Sequence, residues 1–127
     1  MDILLDTHAV LWFFEDDARL SKTAIEAICN PDNQIYVSIA TLWEVAIKLS
    51  IGKLTLDGGI EDFIESIDEN GFSLLEVSTG HIKTVVELPF HHRDPFDRIL
   101  VAQAIVEEMA VITTDTDVVK YDINSIW

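Results

Sequence analysis

The sequence predicts an α/β fold, a twisted parallel sheet with helices on both faces, and two features predict it. Short apolar runs alternate with longer segments of helical period. The apolar runs carry no polar face, as strands buried on both sides require. In chain order, "DILLD" (2–6) and "QIYVS" (34–38) are expected as strands, with "SLLEV" (73–77) as a third and "AVITT" (110–114) as a fourth. Helices are expected over 21–29, opening at Ser21, and over 39–50, closing at Gly52. Others are expected over 60–70, closing at Gly71, over 79–87, between Ser78 and Pro89, and over 95–109.

At 127 residues and 49% apolar content the chain, 1–127, is expected to be one domain with its own core. Neither repeats nor a linker divide it. The single Cys29 cannot form an internal disulfide; it suits a reducing compartment and reads as core filler. Apolar runs such as "AVLWFF" fall far short of the roughly 18 residues of a membrane span, and "MDILLD" has no basic leader. A soluble, cytoplasmic protein is expected. Its 23 acids against 8 bases give a net charge of −15, which repels polyanions at long range and favours a basic protein partner.

The placement of the acids carries the functional argument. In open parallel sheets ligands bind beyond the carboxyl ends of the strands. Asp6 ends the first strand in "ILLDTH" and Asp115 ends the late one in "VITTDTD". Each could serve simply as a helix cap, but as a pair they mark one edge of the sheet. In "HHRDPFDRIL", Pro95 suits the first helical position, which makes Asp94 the N-cap and Asp97 a first-turn acid. Asp94 then has a structural task, and the chemistry is assigned to Asp97, whose alternative is a surface acid favoured by the helix dipole.

Glu44 lies in "SIATLWEVAIKLS". On a helical wheel Ile39, Leu42, Trp43, Ala46 and Leu49 share one side, and Thr41, Glu44 and Lys48 the other. An exposed Glu44–Lys48 pair at i, i+4 is the plain reading. The helix directly follows a strand, however, so Glu44 can reach the same edge as Asp6. His91 and His92 near Asp94 suggest zinc, yet neighbouring loop side chains diverge and no Cys or third His is close in sequence. His8 has two readings, as a pocket residue or as a buried, hydrogen-bonded one.

Four converging carboxylates repel unless a cation intervenes. All-oxygen ligation selects Mg²⁺ or Mn²⁺, which serve metal-dependent phosphodiester hydrolysis. At these residues the chain resembles the PIN-domain family, specifically the VapC-like ribonuclease toxins of type II toxin–antitoxin systems. The likeness runs in order through "DILLDTH", "SIATLWEVAIKLSIGKL", "LPFHHRDPFDRILVAQA" and "AVITTDTDVVKY". The family's acids fall on Asp6, Glu44, Asp97 and Asp115, with Asp117 an alternative to the last.

The resemblance implies a sheet of about five strands, a Mg²⁺ or Mn²⁺ cofactor, endonucleolytic cleavage of RNA, a homodimer, and inhibition by a cognate antitoxin. RNA would need local cations, for which Arg93, Arg98, Lys48 and Lys53 are candidates, although solvation is the plainer role for Lys53. Many members carry a small polar residue where this chain has His8, a departure that bears on substrate preference. A haloacid-dehalogenase-type phosphotransferase would want an Asp at position 8, and a receiver-like phosphoacceptor would want paired acids after the first strand. The alternative from another class is a catalytically silent acidic module that binds a basic protein.

Overall fold

The computed structural model describes residues 1–127. β1 (Asp2–Leu5) lies in the middle of a sheet whose five strands are all parallel. β2 (Gln34–Ser38) and then β3 (Ser73–Leu75) extend it on one side, and β4 (Ala110–Ile112) and β5 (Ser125–Ile126) on the other. The register sets Ile3 against Ile35 and Ala110, and Leu5 against Val37 and Ile112. Strand order therefore reverses direction at β1, and the carboxyl ends of β1 and β4 flank the crevice where this topology receives ligands.

Six helices connect the strands: α1 (Thr7–Phe14), α2 (Lys22–Cys29), α3 (Ile39–Ser50), α4 (Gly59–Glu69), α5 (Thr79–Glu87) and α6 (Pro95–Glu107). Side chains alternate across β1. Ile3 and Leu5 pack with Val10 of α1, Ile28 of α2, Val45 of α3 and Phe63 and Ile67 of α4. Leu4 faces the other way, onto Leu100 and Ala104 of α6. Ile3, Leu4 and Leu5 are wholly buried, each contributing roughly 1.5–3 kcal/mol against its exposed state.

The caps act as read. Ser21 accepts from the Ala24 amide, Ser78 forms a capping box with His81, and Asp94 accepts from the amides of Phe96 and Asp97. α1 has no counterpart among the expected helices. "THAVLWFF" is apolar on every side, with buried Ala9, Val10 and Leu11 followed by half-buried aromatic rings, so it shows no one-sided stripe. α6 stops at Glu107, two residues before the expected end, because Glu108 turns left-handed (φ 54°) and delivers Met109 to the core. The third and fourth strands end at Leu75 and Ile112, earlier than expected. Cys29 is exposed at the end of α2 instead of filling the core.

Candidate active site

The chain leaves β1 at Asp6, whose amide still donates to the Ile112 carbonyl of β4 (3.1 Å). Its side chain turns back to cap α1, with Oδ1 accepting from the Ala9 amide at 2.8 Å. Capping and site placement thus coexist in one residue. Asp6 is only 7% exposed. Burial raises its pKa above the ordinary 3.8, the Thr113 hydroxyl, the Ala9 amide and His8 oppose the rise, and the charge of Asp115 adds to it.

Asp115 follows β4 and accepts through Oδ1 from the amides of Asp117 (2.8 Å) and Val118 (3.2 Å). Its own amide donates to Thr113 Oγ1 at 3.1 Å, so Thr113, itself buried, stands between two acids. Asp117 instead pairs with Lys120 (3.1 Å), and it is the charge of Asp115 that is felt at both Asp6 and Asp97. Asp97, in the first turn of α6, has its pKa raised to about 6. Desolvation is the main cause, and the charges of Asp94 and Asp115 add to it against the hydrogen bond from His92.

Glu44 and Lys48 overturn the helical-wheel expectation. α3 turns Ala40, Thr41, Glu44 and Val45 inward, and Glu44 is 8% exposed. Both of its oxygens have partners: Thr7 Oγ1 donates to Oε1 at 2.6 Å, and Lys48 Nζ lies 2.9 Å from Oε2. The pair exists, but it is anchored at the carboxyl edge of β1 and not free in solvent. Because Thr7 directly follows Asp6, this hydroxyl holds Glu44 near the carboxyl end of β1, while the aspartates that feel one another's charge are Asp6, Asp97 and Asp115. The inward turn has a physical cause: Thr7 and Lys48 each supply a donor to Glu44, so its burial carries no unsatisfied oxygen.

Arg98 requires a further correction. Expected as a cation for RNA, it is 5% exposed. Its guanidinium donates to the carbonyls of Pro89, Val85 and Leu88 and to the Tyr121 hydroxyl, and it lies 4.2 Å from the Phe90 ring centroid. It ties the loop before α6 to α5, and with both terminal nitrogens committed to protein oxygens it cannot clamp a phosphate bidentately through them. Arg93 and Lys53 are exposed. His8 is exposed too, stacked on Trp12 at 5.4 Å, which removes its buried reading. His91 sits edge-on to Tyr121, while His92 is bound between Tyr121 and Asp97. Nothing in this arrangement forms a zinc site.

Sequence reasoning missed Thr7, Thr113 and Tyr121. Each of the two threonines stands within two residues of an assigned acid, in "DTH" and "TTD", and that adjacency was the available signal. Tyr121 had none, because its role depends on how the loop before α6 folds.

The donor chemistry fits a hard divalent cation: Asp6, Asp97 and Asp115 offer only oxygens, two of them are raised by burial, and their mutual repulsion is relieved by positive charge. No three acidic or imidazole groups are gathered into a ready-made chelate. Mg²⁺ does not demand one, since it keeps several waters and often takes only one or two carboxylates.

A parallel sheet with acids at its switch point, closed by a C-terminal strand, defines the class: the chain belongs to the PIN-domain family, whose model matches residues 3–124. Among curated relatives it is similar to Ribonuclease VapC22 of Mycobacterium tuberculosis (strain ATCC 25618 / H37Rv). The two are 26% identical over 114 residues, covering 89% of this chain and 86% of the relative. Among solved structures, the fold is shared with VapBC2 from Rickettsia felis bound to a promoter DNA fragment (TM-score 0.73, 13% identity), covering 98% of this chain and 97% of that one. It is shared likewise with VapBC-1 from nontypeable Haemophilus influenzae (TM-score 0.69, 16% identity), covering 98% and 96%.

Proposed function

We propose that this chain is a metal-dependent endoribonuclease that hydrolyses RNA phosphodiester bonds, and that it is the toxin of a toxin–antitoxin pair. The observation that carries the reading is the burial of Asp6 beside Asp115 at the crevice between β1 and β4, with Asp97 brought to the same charge cluster by α6. The similarity to a curated ribonuclease over most of both chains supports the reaction class.

Asp6, Asp97 and Asp115, with Glu44, would hold Mg²⁺ or Mn²⁺. The bound ion would supply an activated water and stabilise charge on the departing oxygen. The protein's own residues prepare that task. The Ala9 amide fixes Asp6, with the Thr113 hydroxyl lowering its pKa, while the amides of Asp117 and Val118 fix Asp115. Thr7 and Lys48 hold Glu44, so Lys48 balances charge within the site, and Arg93 is left to meet the RNA backbone.

The partner is taken to be a basic antitoxin segment drawn to a chain of net charge −15, in keeping with the VapBC assemblies that share the fold. Self-association is assigned to the apolar side of α3, where Ile39, Trp43, Ile82 and Phe96 line a groove of about 490 Å³. No helix is long and apolar enough to cross a membrane, and a cytoplasmic location is part of the proposal.

The test is incubation of the pure chain with single-stranded and structured RNA in Mg²⁺, Mn²⁺ or chelator, beside Asp6→Asn. Cleavage that needs the ion and the carboxylate is the expected result. Cleavage indifferent to both marks a contaminant, and an intact RNA pool together with tight capture of a basic peptide favours a silent binding module.

A further inference from the structure

The polar chain behind Asp97 runs in a single direction. Arg98, buried, can only donate, and its Nη1 lies 3.0 Å from the Tyr121 hydroxyl oxygen. With that oxygen accepting a hydrogen bond from Arg98, the hydroxyl's own hydrogen is free to point at His92 Nδ1, also 3.0 Å away; the alternative acceptor, the His92 carbonyl, is at 3.5 Å. The opposite nitrogen, Nε2, lies 3.0 Å from Asp97 Oδ2. A neutral imidazole has one donor nitrogen and one acceptor, so Nδ1 accepts and Nε2–H donates. Every donor in the series points toward Asp97, and Asp97 Oδ1 keeps no protein donor.

We infer that His92 is the positioning residue for Asp97, locked in its Nε2–H tautomer by Tyr121 and Arg98, so that Oδ2 is held and Oδ1 is presented to the site. The inference rests on the nuclease reading for its purpose, but not for its geometry. It explains why an arginine is buried with three carbonyl partners beside the loop before α6: its fourth partner transmits a fixed hydrogen-bond polarity to the acid. It also gives His92 a task that needs no metal bond of its own.

Two measurements on the full chain test it. In a long-range proton–nitrogen spectrum of histidine-labelled protein at pH 8, the resonance absent from His92→Gln should show the Nε2–H form, and Tyr121→Phe should shift its Nδ1 signal. In RNA cleavage, His92→Ala should lower kcat by about 10- to 100-fold with KM little changed, and His92→Gln, which keeps an N–H donor, should recover most of the loss. An Nδ1–H tautomer in the wild type overturns the inference, as does equal activity of the Ala and Gln variants. The spectrum decides the relay even if Tyr121→Phe fails to fold, since the wild-type tautomer is read directly. A wild type that cuts no RNA removes the nuclease reading while the nitrogen signals still judge the relay. A wild type that cuts, with His92→Ala its equal, removes the relay alone.

Discussion

Along α3, Thr41 and Glu44 are buried, whereas Trp43, between them in sequence, is 64% exposed and Ile39 is 38% exposed. An ordinary amphipathic helix has these preferences reversed. The two sides depart from the rule for different reasons. Inward, the polar side holds Glu44 at the carboxyl edge of β1, where the Thr7 hydroxyl and Lys48 satisfy it. Outward, the apolar side meets Phe96 of α6 edge-on at 5.4 Å and is left uncovered in the single chain. In the proposed reading the complement of the inward side is a cation and that of the outward side an apolar surface of a second copy.

Removing the inward charges should have the largest effect. Asp6→Asn or Asp97→Asn is expected to reduce ion-dependent RNA cleavage at least about 100-fold, since an assigned ligand should matter no less than the residues that orient it. Retained cleavage in either variant would break the contrast between the two sides. On the outward side, Trp43→Glu should convert a self-associated species to monomer in light scattering, while shifting the fold's own stability by only about 0.5 kcal/mol, as exposed positions do. A wild type monomeric at high concentration would remove the self-association proposal.

A smaller effect separates structure from chemistry. In chelator, Asp97→Asn should raise Tm by roughly 2–6 °C, because it deletes a partly buried charge repelled by Asp94 and Asp115. Asp6→Asn should behave in the same sense, because Asn caps a helix as well as Asp. The smallest effect is the pH slope. Folding raises the Asp97 pKa from 3.8 to about 6, so the folded state holds the proton more tightly than the unfolded chain. This group's contribution is fully present below 3.8 and is lost as pH rises through about 6. Denaturant melts in chelator should therefore show the stability gap between Asp97→Asn and wild type widening from pH 4 to pH 7. A constant gap would contradict the assigned cause.

The parallel sheet was legible because its strands are continuous apolar runs bounded by clear caps. The acids at strand ends were legible because topology alone sends such positions to one edge. α1 was hidden by its uniform apolarity, and β5, only two residues long, is too short for any periodicity to register. Glu44 shows the deeper limit. A helical wheel assumes that polar means outward, and the hydroxyl that reverses this comes from Thr7, 37 residues earlier in the chain. Arg98 failed in the opposite way: its carbonyl partners are backbone groups, which no side-chain pattern reveals.

β1 is flanked by β2 and β4, and the Asp6 amide bonds to Ile112. The first acid of the cluster therefore meets the last only through strands far apart in sequence. Pairing strands so far apart in sequence costs more loop-closure entropy than pairing neighbours, so the crevice is made by the long-range contacts that slow folding.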